Sequence, residues 1–226
     1  FKISFYVDVF HAWGMTDMCP LGTLYRVVGW LRDAPQDWSG ELDQLCSQGR
    51  VPFGVDLKIV DDNNVELPRD GKSVGRLFAR GPATVERYFK QTETALDNGW
   101  FDTGDVATID EAGFMTIMDR AKDVIKSGGE WISSVDIENA AIGHPDVDIA
   151  ACIGVVNEKW GERPLVLVQL AKGAKFDESS VLSQIAEHVA KWQLPDRIVA
   201  IEKIPLTATG KVDKKPLKEK YRNTQT

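Results

Sequence analysis

The sequence predicts an α/β to α+β fold in two parts: a β-rich stretch over residues 1–118, then a smaller α+β unit over residues 123–226. Three observations carry that expectation. Before residue 119, short runs rich in β-branched and aromatic residues are separated by Gly, Pro, Asn and Asp, the punctuation of strands and turns. Beyond it, uniformly apolar runs of strand length alternate with helical apolar stripes. Between the two lies "DRAKDVIKSGGEWISS", Asp119 to Ser134, where charged residues give way to two adjacent glycines and a lone tryptophan.

Taken in order, "FKISFYVDVF" is strand-like from Phe1 onward, and a chain that opens inside a strand is expected to be a piece of something longer. "VPFGVDLKIVD", "VGRLFARG" and "FMTIMD" are short strands. "GWFDTGDVATIDEAGF" reads as a loop in which Thr103-Gly104 turns the chain and aims Asp105. Ser133 or Ser134 caps a short helix through "VDIENAAI", ended by Gly143 and "HPD". "VDIAACIGVV" and "LVLVQL" are buried strands. A second helix is expected over Val181–Trp192, with apolar residues at Val181, Leu182, Ile185, Ala186, Val189 and Trp192 and with Asp177 as its cap. "RIVAIEKI" is the last strand before a polar tail.

Composition narrows the function. With 226 residues, 43% hydrophobic and 27% charged, the chain is ordinary for a globular protein. A formal net charge of −7 argues against sequence-independent nucleic-acid binding, which needs a basic face. No apolar run has bilayer-spanning length, so no transmembrane segment is expected. Cys19, Cys46 and Cys152 are odd in number and far apart, and His11, His144 and His188 lack ligand spacing. A reducing cytoplasmic setting without a zinc site follows.

Four clusters can carry chemistry, and each also has a plainer reading. In "HAWGMTDMCP", Trp13 offers a flat aromatic face, Gly14 close backbone approach, Thr16 a hydroxyl and Asp17 a hard oxygen; a tight turn explains the same residues. Asp105 of "FDTGD" can accept from two vicinal hydroxyls at once, or merely cap backbone amides. In the opening stretch Arg120 offers a fork of donors and Gly128-Gly129 bare backbone beside Trp131; a solvated linker is the alternative. Finally, Lys211 follows Gly210 in "PLTATGKVDKKPL", a flexible polar loop that could deliver an ammonium to developing negative charge. Taken singly, each is more readily structural. Their order changes the balance.

Trp13-Gly14-Met15-Thr16-Asp17, then "GWFDTGD" from Gly99 to Asp105, then Asp119-Arg120 through Ile132, then Thr209-Gly210-Lys211 resembles the adenylate-forming superfamily, in which acyl-CoA synthetases, peptide-synthetase adenylation domains and luciferases fall. Within it, the wording is most similar to fatty-acyl-CoA synthetases and methylmercaptopropionate-CoA ligases. The resemblance spans essentially the whole chain and implies the distal part of a large AMP-binding domain over residues 1–118, a hinge at 119–122 and a mobile C-terminal domain over 123–226. It implies that Trp13, Gly14, Met15 and Thr16 line a nucleotide, with Trp13 against adenine and Thr16 at the α-phosphate, and that Asp17 associates with Mg²⁺. Asp105 and Arg120 would meet the ribose and Lys122 would be the pivot. Lys211 would stabilise charge during adenylation, and Gly128, Gly129, Glu130 and Trp131 would line the passage for coenzyme A. The implied reaction couples a carboxylic acid to ATP, releasing pyrophosphate, and then exchanges AMP for the CoA thiol.

Three departures from the family pattern stand out. Asp17 replaces the usual Glu, one methylene longer; Arg76 stands where many members carry Glu; and Asp119 replaces a common glycine, expected to matter little. The family's Thr/Gly-rich phosphate loop does not occur, so the chain is expected to depend on a missing N-terminal part of the same protein and to have little ligase activity alone. ATP, CoA and a small carboxylic acid are the expected partners, and a homodimer is compatible. An adenylation domain that loads a carrier protein, and a non-catalytic nucleotide-binding module, stay open beside the leading reading.

Overall fold

The computed structural model describes residues 10–25 and 46–221. The strand expected at the very start of the chain lies outside them. The chain divides into two compact units, Phe1–Met118 and Asp119–Thr226.

In the first unit an antiparallel pair, β1 (Ala12–Gly14) and β2 (Leu21–Leu24), is closed by a single 3₁₀ turn at Thr16–Met18. A mostly antiparallel sheet follows, in the order β3 (Asp56–Val60), β4 (Gly75–Arg80), β6 (Trp100–Ile109), β5 (Leu96–Asp97), with β7 (Met115–Arg120) also paired to β6. Alternation puts Leu57, Ile59, Leu77, Ala79, Ala107 and Ile109 into one core, on which Met18 and the partly buried Trp13 and Met15 also pack. Residues of one strand parity share a face, which is how these short segments assemble a core from scattered positions.

The expected loop around Thr103 is instead the middle of a ten-residue strand, β6. Its pairing with β4 slips between Arg76↔Val106 and Phe78↔Asp102, so extra residues bulge out at Thr103–Asp105, with Gly104 at φ +69°. The Thr103 hydroxyl donates to the Leu77 carbonyl at 2.8 Å and accepts from the Asp105 amide at 3.2 Å. A turn-like dipeptide was therefore a bulge that the neighbouring strand holds.

In the second unit a hairpin of β8 (Ile125–Ser127) and β9 (Glu130–Ile132) is joined by Gly128-Gly129, both at positive φ (62° and 89°). Two such residues suit the primed two-residue turn of a twisted hairpin, and glycine adopts them without a Cβ penalty. The sheet runs β10 (Val147–Asn157), β11 (Gly161–Leu170), β8, β9, and β12 (Arg197–Ala200) adds to β11 in parallel. Helices α1 (Ser134–Ile142) and α2 (Glu178–Ala186) cover one face through Ile137, Ala141, Val181 and Ile185 against Ala150, Cys152, Val166 and Val168. On the opposite face Ala151, Ile153, Leu165 and Leu167 meet Ile204 and Leu217, the last on α3 (Lys214–Tyr221). Both faces are therefore dry, which explains the unbroken apolar runs of β10 and β11. Burial of a leucine such as Leu165 or Leu167 contributes about 1.5–3 kcal/mol.

Ser133 is the cap of α1, its hydroxyl accepting from the Asp136 amide at 3.1 Å, and Asp177 caps α2 through the Ser179 and Ser180 amides. The second helix is shorter than its stripe predicts. It stops at Ala186, a separate 3₁₀ turn holds Lys191–Gln193, and Gln193 accepts from the Ala190 amide at 2.9 Å. Pro195 lies just beyond that turn, and the residue before a proline is driven out of helical geometry, as Leu194 is at ψ 140°. Val189 and Leu194 still pack on the core, while Trp192 is left about half exposed.

Candidate active site

In the first unit the two motif segments meet. The Trp13 indole N–H donates to Asp105 Oδ2 at 2.9 Å, joining residues 92 apart in sequence. Asp105 is buried, and it follows the bulge at Gly104 with its side chain on Trp13. The Trp13 ring lies so close over Gly22 that a Cβ there would sit 2.2 Å from Cζ3. Tryptophan's edge is thus tied to the carboxylate while its body rests on backbone, a rigid platform. Gly14 has a structural reason of its own: a Cβ would come within 1.8 Å of the Pro20 carbonyl oxygen, so the hairpin itself demands glycine.

Met15 is half-buried on the core, whereas Thr16 opens the 3₁₀ turn exposed. Asp17 Oδ1 accepts from the Tyr88 hydroxyl at 2.6 Å, and that bond pushes the Tyr88 pKa above its ordinary value by favouring the bound proton. Among the described residues no cluster of three or more His, Cys, Asp or Glu could cage a metal. Arg76, where the family carries an acid, pairs with Asp102 at 3.3 Å and also donates to Asn64.

In the second unit Arg120 is exposed at the end of β7 beside a buried Asp119. Lys122 is exposed, and its carbonyl accepts from Lys218 Nζ, which also pairs with Asp123 at 2.9 Å. Glu130 and Trp131 stand on β9, with the Lys126 ammonium 4.9 Å from the Trp131 ring centroid. Lys211 is exposed but not on a floppy loop: its amide donates to the Thr207 hydroxyl, its carbonyl accepts from the Thr207 amide at 2.7 Å, and Gly210 turns at φ +81°.

Sequence reasoning missed one feature. A cleft of about 390 Å³ is lined by Ser127, Gly128, Glu130, Trp160, Arg163 and Trp192, among others. Gly128 abuts it, donating its amide to the Trp160 carbonyl at 2.8 Å; a Cβ on Gly128 would be 2.8 Å from Trp160 Cε3. Arg163 holds the cleft's far side together, forked onto Asp196 at 2.7 and 2.9 Å and bonded to the Trp192 and Leu194 carbonyls. Trp160 and Trp192 are each about half exposed there. The available signal was Trp160 next to a turn; Trp192 was hidden in the apolar stripe expected to be helical, and only the end of that helix at Ala186 frees it.

Known proteins give this geometry its context. Residues 136–211 match the AMP-binding enzyme C-terminal domain. The whole chain is 48% identical to part of a 3-methylmercaptopropionyl-CoA ligase of Ruegeria pomeroyi, covering 42% of that protein. It is also 48% identical, over 95% of its length, to a medium-chain-fatty-acid–CoA ligase of Ectopseudomonas oleovorans, of which it covers 39%. Its fold aligns with an ATP-bound crystal structure of MatB from Rhodopseudomonas palustris at a TM-score of 0.76 and 28% identity, over 98% of this chain and 42% of the other. The chain belongs to the adenylate-forming family of AMP-binding enzymes. It spans about two-fifths of the length of these curated relatives.

Proposed function

We propose that this chain is the C-terminal part of an ATP-dependent acyl-CoA ligase acting on fatty or similar aliphatic acids. One observation supports this reading above the rest: the Trp13–Asp105 hydrogen bond, which joins the aromatic platform of the first motif to the buried carboxylate of the second. The Trp13 face takes the adenine and Asp105 accepts from the ribose hydroxyls, assisted by Arg120. Thr16 donates to the α-phosphate, and Lys211 supplies positive charge there. Asp17 would hold Mg²⁺ by one carboxylate oxygen or through water, which fits an ion carried largely by nucleotide phosphates and one that keeps several waters. That ion would supply charge neutralisation at the phosphates.

In the first step a carboxylate oxygen bonds to the α-phosphorus, the bond to the β-phosphate breaks, and pyrophosphate leaves. In the second the CoA thiolate adds to the acyl carbonyl and the C–O bond to AMP breaks. Lys211 serves the first and the Gly128-Gly129 hairpin the second, with Glu130 and Trp131 beside it. The Trp160–Trp192 cleft next to that hairpin supports the acceptor being CoA, since two aromatic faces suit a flat base at the far end of a thin arm. Both elements belong to the second unit, so a turn about Lys122 lets them alternate at one site. The names of the relatives carry the aliphatic substrate class, and the free cysteines suit a cytoplasmic setting.

The test uses the full-length protein with a panel of aliphatic acids, following ATP–pyrophosphate exchange and acyl-CoA release separately. Lys211→Ala should lower exchange at least a hundredfold, the scale of losing one charge-stabilising group, and spare thioester formation from supplied acyl-AMP. An unchanged first step would refute the role of Lys211. Acyl-AMP without acyl-CoA would favour a carrier protein as acceptor.

A further inference from the structure

Both sides of Lys122 are fastened to the second unit, and this bears on how the pivot is controlled. Downstream, Lys218 of α3 holds the Lys122 carbonyl and the Asp123 carboxylate. Those atoms travel with the second unit whatever the backbone angles of Lys122, so that attachment survives a rotation there. Upstream the position is different. Asp119 sits in β7, three residues before the pivot, and is 3% exposed. Its Oδ2 accepts from the Ser134 amide at 2.7 Å and the Ser134 hydroxyl at 2.6 Å, at the first turn of α1. The same hydroxyl accepts from Lys214 Nζ at 2.6 Å, and Lys214 also pairs with Glu138 at 2.7 Å. Lys214 lies three residues beyond Lys211.

Asp119 is the first residue of the second unit but stands in β7, which pairs with β6, so a rotation at Lys122 would leave it with that strand and carry Ser134 away. We infer that the Asp119 carboxylate is a latch across the pivot, closed on Ser134 in one orientation and released in the other. Asp119 and Ser134 are then positioning residues that set the populations of the two orientations, and Lys214 links the latch to the segment bearing Lys211. This deepens the ligase reading and rests on its pivot. The aspartate where the family commonly has glycine becomes a device for biasing the exchange rather than a neutral change.

The test is a distance measurement in the full-length protein, with one dye at exposed Asn63 in the first unit and one at exposed Lys172 in the second. Asp119→Asn and Ser134→Ala should each shift the ratio of the populations at the two distances in the same direction by about tenfold, as loss of a charge-assisted hydrogen bond gives. Their combination should exceed either alone by little, because both remove one contact. Ser134→Thr keeps both donors and should restore the wild-type ratio, which separates the latch from a general loss of folding. Unchanged distances in Asp119→Asn and Ser134→Ala overturn the inference: the pivot would then lie before Asp119. Because the readout needs no turnover, a full-length protein that makes no acyl-AMP would sink the ligase reading while still deciding the latch.

Discussion

Replacing Lys214 by Met tests the polar centre of the second unit. The Lys214–Glu138 pair is 2.7 Å long, with side chains only 10% and 14% exposed, and Glu138 Oε1 also accepts from the Cys152 amide at 2.7 Å. Removing the ammonium leaves a carboxylate among Cys152 of β10 and Asp119 of β7 without a cation beside it. Breaking one side of a buried pair costs about 3–5 kcal/mol. The protein can reduce that by protonating Glu138, each pH unit being worth about 1.4 kcal/mol.

Burial already holds the Glu138 carboxyl above its ordinary 4.5, outweighing the nearby Lys214. The folded state thus binds this proton more tightly than the unfolded chain does. Its contribution is full below about 4.5 and is lost as pH rises through the folded value. Loss of Lys214 raises that value further, so Lys214→Met should be mildly destabilising at pH 5 and severely so at pH 8. The assay is native-state hydrogen exchange of α1 and β10, corrected for intrinsic rates, where 3–5 kcal/mol appears as roughly a hundred- to several-thousand-fold faster exchange at pH 8. Adding Glu138→Gln, which keeps an acceptor for Cys152, should recover most of the loss. Equal destabilisation at both pH values, or no recovery in the double variant, would refute the argument.

Two further outcomes follow from single contacts. Gly128→Ala places a Cβ 2.8 Å from Trp160 at φ +62°, so the KM for CoA should rise about tenfold with ATP–pyrophosphate exchange unchanged; Gly129→Ala, at φ +89° with open space around it, controls for backbone strain, and an equal effect there would remove Trp160 from the explanation. Trp13→Phe keeps a ring but removes the indole donor that orients Asp105, so AMP affinity measured by calorimetry should fall about tenfold, the scale of one hydrogen bond to a charged group at about 1.5 kcal/mol.

What could be read from sequence was set by range. The alternating faces of β10 and β11 and the Ser133 and Asp177 caps are local matters of period and short-reach hydrogen bonding, and they were legible. The bulge in β6 was not, because "DTGD" looks the same in a turn as in a strand. What decides between them is the Leu77 carbonyl of β4, which takes the Thr103 hydroxyl. Likewise the site's components could be named one by one, but nothing local joins Trp13 to Asp105 or sets Trp160 beside Trp192. Asp119 shows the limit best. Judged against its neighbours it replaces a glycine to no evident purpose; its partner is fifteen residues away.

These contacts also bear on where flexibility can reside. Lys211 sits on a turn closed by three hydrogen bonds to Thr207, Lys214 is bound into α1, and Gly128 is bound to the Trp160 carbonyl. The two elements proposed to serve the two half-reactions are therefore each held by hydrogen bonds within the second unit. Were either loop floppy, both could reach a shared site by local motion and no turn of the unit would be needed. With both anchored, one can approach only by carrying the other away, and the motion has to come from the few residues outside the sheet. On the proposed ligase reading, control of the order of the two steps would then lie in the Asp119–Asp123 connection, where the proposed contact of one carboxylate with Ser134 would tilt it.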